Sequence, residues 1–176
     1  MTISSAVPVP ASHLDAARDA EAATRAANAA LAATLPFSDV RDFEAVKHGL
    51  IAPVPEGAIT TASGTALWNL GEYAFINGEL APPTVNPSLW RMARLNMANG
   101  LFKVKERLYQ LRGFDISNMT VIEGDSGLIL IDPLTTAEVA RAALDLYYAH
   151  RPRLPVVAVI YTHSHLDHYG GVRGVV

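Results

Sequence analysis

The chain has 176 residues, half of them hydrophobic and 18% charged, with a formal net charge of −3 and no cysteine. This composition is that of a globular protein and not a disordered one. Its mild acidity leaves no basic footprint for nucleic acid. Without cysteine there is neither a disulfide framework nor a thiolate metal ligand, so any metal must be held by His and carboxylate.

Residues 1–12, rich in Pro, Ser and Val, read as a loose arm. From about Leu14 to Thr34 the chain is alanine-rich, with high helix propensity and a thin apolar stripe, and Pro36 ends that helix. Ser38 or Asp39 can cap a short helix through Lys47, with Gly49 beyond it. Ala58–Thr61 and Thr65–Trp68 flank Ser63-Gly64 as a hairpin. Residues 78–86 read as a loop, and Asn86-Pro87 is a cap followed by proline at the first helical position. That helix is expected to reach about Ala98, with Leu89, Trp90, Ala93 and Met97 near one face.

From Leu101 the pattern changes to strands: Phe102–Val104, Leu108–Leu111, then Met119–Glu123 and Leu128–Ile131 around the turn Gly124-Asp125-Ser126-Gly127. Asp132-Pro133 closes the last of these. Thr135-x-x-Glu138 reads as a capping box, and Val139, Ala142, Ala143 and Leu146 give the stripe of a helix to about His150. Val156–Tyr161, β-branched and apolar, reads as a buried strand. It is the longest apolar run, far too short to span a membrane. The N-terminus has no basic segment followed by an apolar core, so no signal peptide is expected and the expected location is cytoplasmic. No internal repeat is present.

The chemistry is concentrated directly after that run, in His163-Ser164-His165-Leu166-Asp167-His168, which holds three of the six histidines. Neutral imidazoles plus a carboxylate suit a borderline cation such as Zn²⁺. Side chains alternate along a strand, so His163 and His165 would point to one side and could grip one metal. Asp167 and His168, past a turn that Gly170-Gly171 permits, could reach a second. Two such ions about 3.5–4 Å apart can activate a shared water and clamp an anionic ester. The bland alternative is an exposed, unliganded His-rich turn.

Asp132 has two equal readings: a carboxylate that hydrogen-bonds a ligand histidine or its loop, or a turn aspartate before Pro133. His150 reads as a solvated residue at a helix C-terminus, and His13 and His48 stand outside any pattern. Arg112, Asp115 and Asn118 lie in a polar loop that could meet an anionic substrate, or be a satisfied turn. Trp68, Trp90 and Phe102 read as core.

The His163–His168 run matches the signature of the metallo-β-lactamase superfamily, and the order strand, Asp132, helix, strand, cluster resembles the start of its αββα fold. Within that superfamily the chain resembles the alkyl sulfatases. The narrower likeness is carried by Thr162–His168 leading into Gly170–Gly174, by Val85–Trp90, Gly100–Phe102, Arg112–Asp115, Asn118–Thr120 and Ile131–Thr135. It spans roughly residue 34 to the end.

The resemblance implies an α/β (α+β) fold: the first half of the sandwich over 101–176, preceded by a helical and hairpin extension over 1–100. It implies two zinc ions, the first on His163 and His165, the second on Asp167 and His168, with Asp167 also the catalytic carboxylate. A zinc-activated water would hydrolyse dodecyl sulfate-like esters to alcohol and sulfate, in a homodimer. No substrate-binding residue is assigned. Further ligands, sulfate-binding residues and two later domains lie downstream in that family, so the chain reads as an N-terminal portion with weak or no activity. The other readings are a different hydrolase of the same fold, acting on a lactam, thioester or phosphoester, and a non-catalytic metal- or partner-binding piece.

Overall fold

The computed structural model describes residues 18–78 and 80–176. The N-terminal arm, His13 and the expected helix start at Leu14 lie outside the described residues.

The structure is a mixed α/β architecture built on one mostly antiparallel sheet. Its strands are β1 (Leu50–Ala52), β4 (Gly100–Lys105), β5 (Leu108–Arg112), β6 (Met119–Glu123), β7 (Leu128–Ile131) and β8 (Val156–Ile160), side by side in that order. β2 (Ile59–Thr60) and β3 (Ala66–Trp68) form the expected hairpin apart from it. The helices are α1 (Ala22–Thr34), α2 (Arg41–Ala45), α3 (Pro87–Asn96) and α4 (Ala137–His150). None of them is long and apolar enough to cross a membrane.

Short turns make β4 through β7 antiparallel neighbours. In the β6–β7 turn the Gly124 N–H donates to the Gly127 carbonyl at 2.8 Å. Between β7 and β8 the chain instead crosses over through α4, which makes that pair parallel. This crossover brings the C-terminal ends of β7 and β8 together.

Alternation along the strands builds the core. Tyr109, Leu111, Met119, Val121, Leu128 and Leu130 are all 1% exposed or less. They cluster with Val139, Ala140, Ala143, Leu144 and Tyr147 of α4, and the rings of Tyr109 and Tyr147 meet edge to face at 5.7 Å. Ile59, Leu67 and Trp68 of the hairpin pack against the same core.

Several expectations shift in register. α1 begins at Ala22 without a side-chain cap and buries no residue, as its alanine stripe foretells. The Asn86 side chain caps α3 from Ser88 N–H and Leu89 N–H as expected, yet the helix ends at Asn96 and Leu89 is exposed. The capping residue of α4 is Thr136, whose side chain accepts from the Val139 N–H, because Thr135 N–H is taken by Asp115. β8 forms as expected but is not buried: it is the outermost strand, and Val157 and Ile160 are half exposed. β1 and a 3-10 helix over Leu70–Asn77 carried no periodic signal and were not anticipated.

Candidate metal centre

Asp132 closes β7 and Thr162 follows β8, so the parallel pairing sets them side by side. The Asp132 N–H donates to the Ile160 carbonyl at 3.0 Å. Asp132 has a φ of 56°, in the left-handed region that non-glycine residues seldom enter. Such conformations persist where surrounding contacts over-determine them, and they gather at functional sites. Here the contacts are plain. One carboxylate oxygen accepts the Thr162 N–H at 2.8 Å. The other accepts the Thr162 hydroxyl at 2.7 Å and His168 Nδ1 at 2.9 Å. Burial pushes the Asp132 carboxyl up, but the Thr162 and His168 hydrogen bonds outweigh it and hold the group below the usual carboxylate value.

This network sets two tautomers. The Thr162 hydroxyl has one proton, and the carboxylate receives it. The 3.0 Å contact between Thr162 Oγ1 and His163 Nδ1 therefore runs from His163 to Thr162. In their neutral forms His163 and His168 both carry the proton on Nδ1, which leaves Nε2 as the lone pair.

The turn itself is not a continued strand. After β8 the chain bends, and Leu166–His168 forms a single 3-10 turn. The bend nevertheless gathers the rings: His163 lies 4.6 Å from His165 and 4.0 Å from His168, centroid to centroid. His168 Nε2 stands 3.1 Å from an Asp167 carboxylate oxygen. His163 and His165 are exposed, whereas Asp167 and His168 are half-buried. The donors have the right chemistry for a borderline dication, and they meet in pairs. No group of three His, Asp or Glu side chains placed to hold a metal occurs among the described residues.

Two other contacts seat the turn. A side-chain carbon on Gly171 would lie 2.1 Å from the Pro133 carbonyl oxygen, and one on Gly170 would lie 2.2 Å from that of Thr135, so the glycines are needed for close approach. From the β5–β6 loop, the Ser117 hydroxyl donates to the Asp167 carbonyl at 2.5 Å.

Of the sequence candidates, Asp132 joins the site, and its turn reading holds as well, since Leu134 N–H donates back to the Asp132 carbonyl at 2.9 Å. Arg112 stacks on Phe102 and donates to the Gln110 side chain. Asp115 accepts the Thr135 N–H, and Asn118 is exposed, so that loop is a satisfied one. His150 sits exposed in the last turn of α4, and His48 is exposed away from the cluster. Trp90 and Phe102 are buried, and the Trp68 indole donates to the Gly113 carbonyl. Ser117 and the relay role of Thr162 were missed. Thr162 is adjacent to His163 and could have been suspected from that; nothing local marks Ser117. A groove of about 1060 Å³ runs between α1, α2 and α3; Trp90 lines it, and Asp132, Ser117 and the His163–His168 turn do not.

A family model described as the metallo-beta-lactamase superfamily matches residues 112–176. The chain is 58% identical over 90% of its length to an (R)-specific secondary-alkylsulfatase from a Pseudomonas species, covering 24% of that protein. It is 54% identical over 92% of its length to a linear primary-alkylsulfatase from a Pseudomonas species, again covering 24%. The solved structure of the stereoselective inverting sec-alkylsulfatase Pisa1 from Pseudomonas sp. superposes with a TM-score of 0.83, over 90% of this chain and 25% of that one. The chain thus spans about a quarter of the length of the relatives it matches. The superfamily model thus matches the segment from Arg112 to Val176, within a chain similar over nine-tenths of its length to alkylsulfatases.

Proposed function

We propose that the chain carries a metal-binding turn of a zinc-dependent hydrolase that converts alkyl sulfate esters, of the dodecyl sulfate type, to alcohol and sulfate. The observation that carries this reading is the single polar network in which Asp132 binds His168 directly and His163 through Thr162. The likeness to primary and secondary alkylsulfatases selects the ester over a lactam, thioester or phosphoester.

In this reading His163 and His165 hold one zinc, and Asp167 and His168 hold the second. A bound zinc pair would supply acidified water at neutral pH. Asp132 keeps the His168 proton on Nδ1 and, through the Thr162 hydroxyl, the His163 proton on Nδ1, so each Nε2 lone pair would be left to hold an ion. Asp167, whose carboxylate lies 3.1 Å from His168 Nε2, would be the catalytic carboxylate. Water supplies the oxygen and two protons; the alcohol leaves with one proton, and sulfate releases the other.

Four donors shared by two ions leave each under-coordinated, so the chain by itself binds zinc weakly and turns over little. By the resemblance, the remaining ligands and the homodimer contacts would lie outside the matched quarter, and the domain division would fall near residue 100. The site is expected to work in the cytoplasm.

The test measures zinc content and sulfate release from dodecyl sulfate for the chain, His163→Ala and His168→Ala. The expected result is weak zinc binding that each variant lowers further, with little sulfate released. Rapid hydrolysis that survives exhaustive chelation, or a preference for a lactam or phosphoester, overturns the reading.

A further inference from the structure

Among the described residues, and setting aside tyrosine and tryptophan, the buried polar side chains are Asp132 and Ser117, each 7% exposed. Burying a hydroxyl or carboxylate is costly unless it is hydrogen-bonded, so where these two bonds go is informative. Both go to the same turn. Asp132 reaches it from the end of β7. Ser117 reaches it from the β5–β6 loop, 50 residues before Asp167.

The contact is specific in kind. The Asp167 carbonyl belongs to the peptide that joins Asp167 to His168. In a 3-10 turn that carbonyl would receive the Gly170 N–H, but the Gly170 N–H donates to the Leu166 carbonyl at 2.8 Å. The Ser117 hydroxyl takes its place. Ser117 lies between anchored residues. Phe114 and Met119, on either side of it, are 1% exposed or less, and the Asp115 carboxylate accepts both the Ile116 and Thr135 N–H groups. The loop is thus fastened both to the core and to the segment that opens α4.

We infer that Ser117 is a positioning residue: its hydroxyl fixes the plane of the Asp167–His168 peptide, and with it the directions in which the Asp167 and His168 side chains leave the backbone. Asp132 holds the His168 ring, and Ser117 holds the peptide that precedes it. That this matters for metal binding rests on the zinc reading proposed above; that it orients the turn does not.

The experiment therefore reads both. In the metal-free chain, amide and imidazole nitrogen signals of Asp167 and His168 are recorded for the wild type, Ser117→Ala, Ser117→Thr and Val121→Ala, the last a core truncation remote from the turn. Zinc affinity of each is measured by competition with a chromophoric chelator. Ser117→Ala is expected to move the Asp167 and His168 signals and to weaken zinc about tenfold or more, the range seen when partners of metal ligands are lost. Ser117→Thr, which keeps a hydroxyl, is expected to restore both. Val121→Ala is expected to lower the melting temperature without either effect.

Unmoved turn signals in Ser117→Ala, or equal movement in Val121→Ala, overturn the inference. If Ser117→Thr fails to fold, the contrast between Ser117→Ala and Val121→Ala decides alone. A wild-type chain whose zinc binding is indifferent to His163→Ala sinks the metal reading instead, and the metal-free signals still decide the role of Ser117.

Discussion

The two faces of the sheet from β5 to β8 have nearly the same apolar character and opposite fates. On one face the cross-strand row Tyr109, Val121, Leu130 and Val159 lies under α4. On the other, the rows Leu108, Ile122, Ile129, Ala158 and Gln110, Thr120, Ile131, Ile160 are half-buried to exposed. A sheet with a single covered face ordinarily alternates apolar with polar, whereas a sheet covered on both faces is apolar throughout. These strands have the sequence of the second kind and, in this chain, the surroundings of the first. At the β4 end the second face is already covered: Phe102 is 1% exposed beneath the Arg112 guanidinium, 4.3 Å from its ring centre. In the proposed sandwich a second sheet would cover the rest.

The sharpest test of this contrast is a truncation on the covered face. Leu130 is fully buried against α4, so Leu130→Ala is expected to cost about 2–5 kcal/mol, the transfer loss plus the cavity left behind. Urea unfolding followed by circular dichroism measures it. A cost below about 1 kcal/mol would mean that the α4 face is not the main core.

How far the sequence foretold this arrangement depends on the kind of force involved. The hairpin at Ser63-Gly64, the Asn86 cap, β4 to β8 and α4 were legible because turn chemistry and hydrophobic period act over a few residues. Val156–Ile160 was legible as a strand but not as an exposed one, since a β-branched run carries no sign of whether its neighbour is present. His163, His165, Asp167 and His168 were legible as a cluster through their density. His163 and His165 do not lie on a strand as alternation predicts; the bend after β8 gathers their rings instead. Asp132 was half legible, because its position before Pro133 suits a turn as well as a site. Ser117 was not legible at all, since its partner lies 50 residues away and only the pairing of strands brings them together.

A middle-sized effect lies on the polar rim of the covered face. Glu123 follows Met119 and Val121 on that side of β6. Arg151 grips its carboxylate with two hydrogen bonds at 2.9 and 3.0 Å, and the Tyr147 hydroxyl donates to it at 2.6 Å. The Arg151 bonds lower the Glu123 carboxyl, burial opposes them, and the Tyr147 bond adds to the lowering, so the group stays below its ordinary value. A carboxyl lowered in the folded state stabilises fully above its unfolded value, about 4.3, and loses that contribution as pH falls through the lower folded value. Glu123→Gln is therefore expected to cost about 1–2 kcal/mol at pH 7, the low end for charged hydrogen bonds because Arg151 is partly exposed. The gap between variant and wild type should narrow as the pH drops below about 4. A gap that stays constant from pH 7 to pH 3 would show that Glu123 acts through packing alone.

The smallest effect is expected on the open face, and it is the one that separates the two readings of that face. Ile129 is half-buried on β7, next to Leu130 in sequence but on the opposite side of the sheet. Ile129→Thr keeps the β-branch that suits a strand and removes apolar surface where little packs on it, so its cost should stay below about 1 kcal/mol. The same change shrinks an exposed apolar patch beside an unpaired edge strand, and both features favour self-association. Light scattering should thus report less aggregation for Ile129→Thr than for the wild type, at nearly unchanged stability. If the variant instead loses 2 kcal/mol or more, and the loss grows with protein concentration, the face is already covered in solution by a second copy, and the asymmetry between the two faces belongs to the single chain alone.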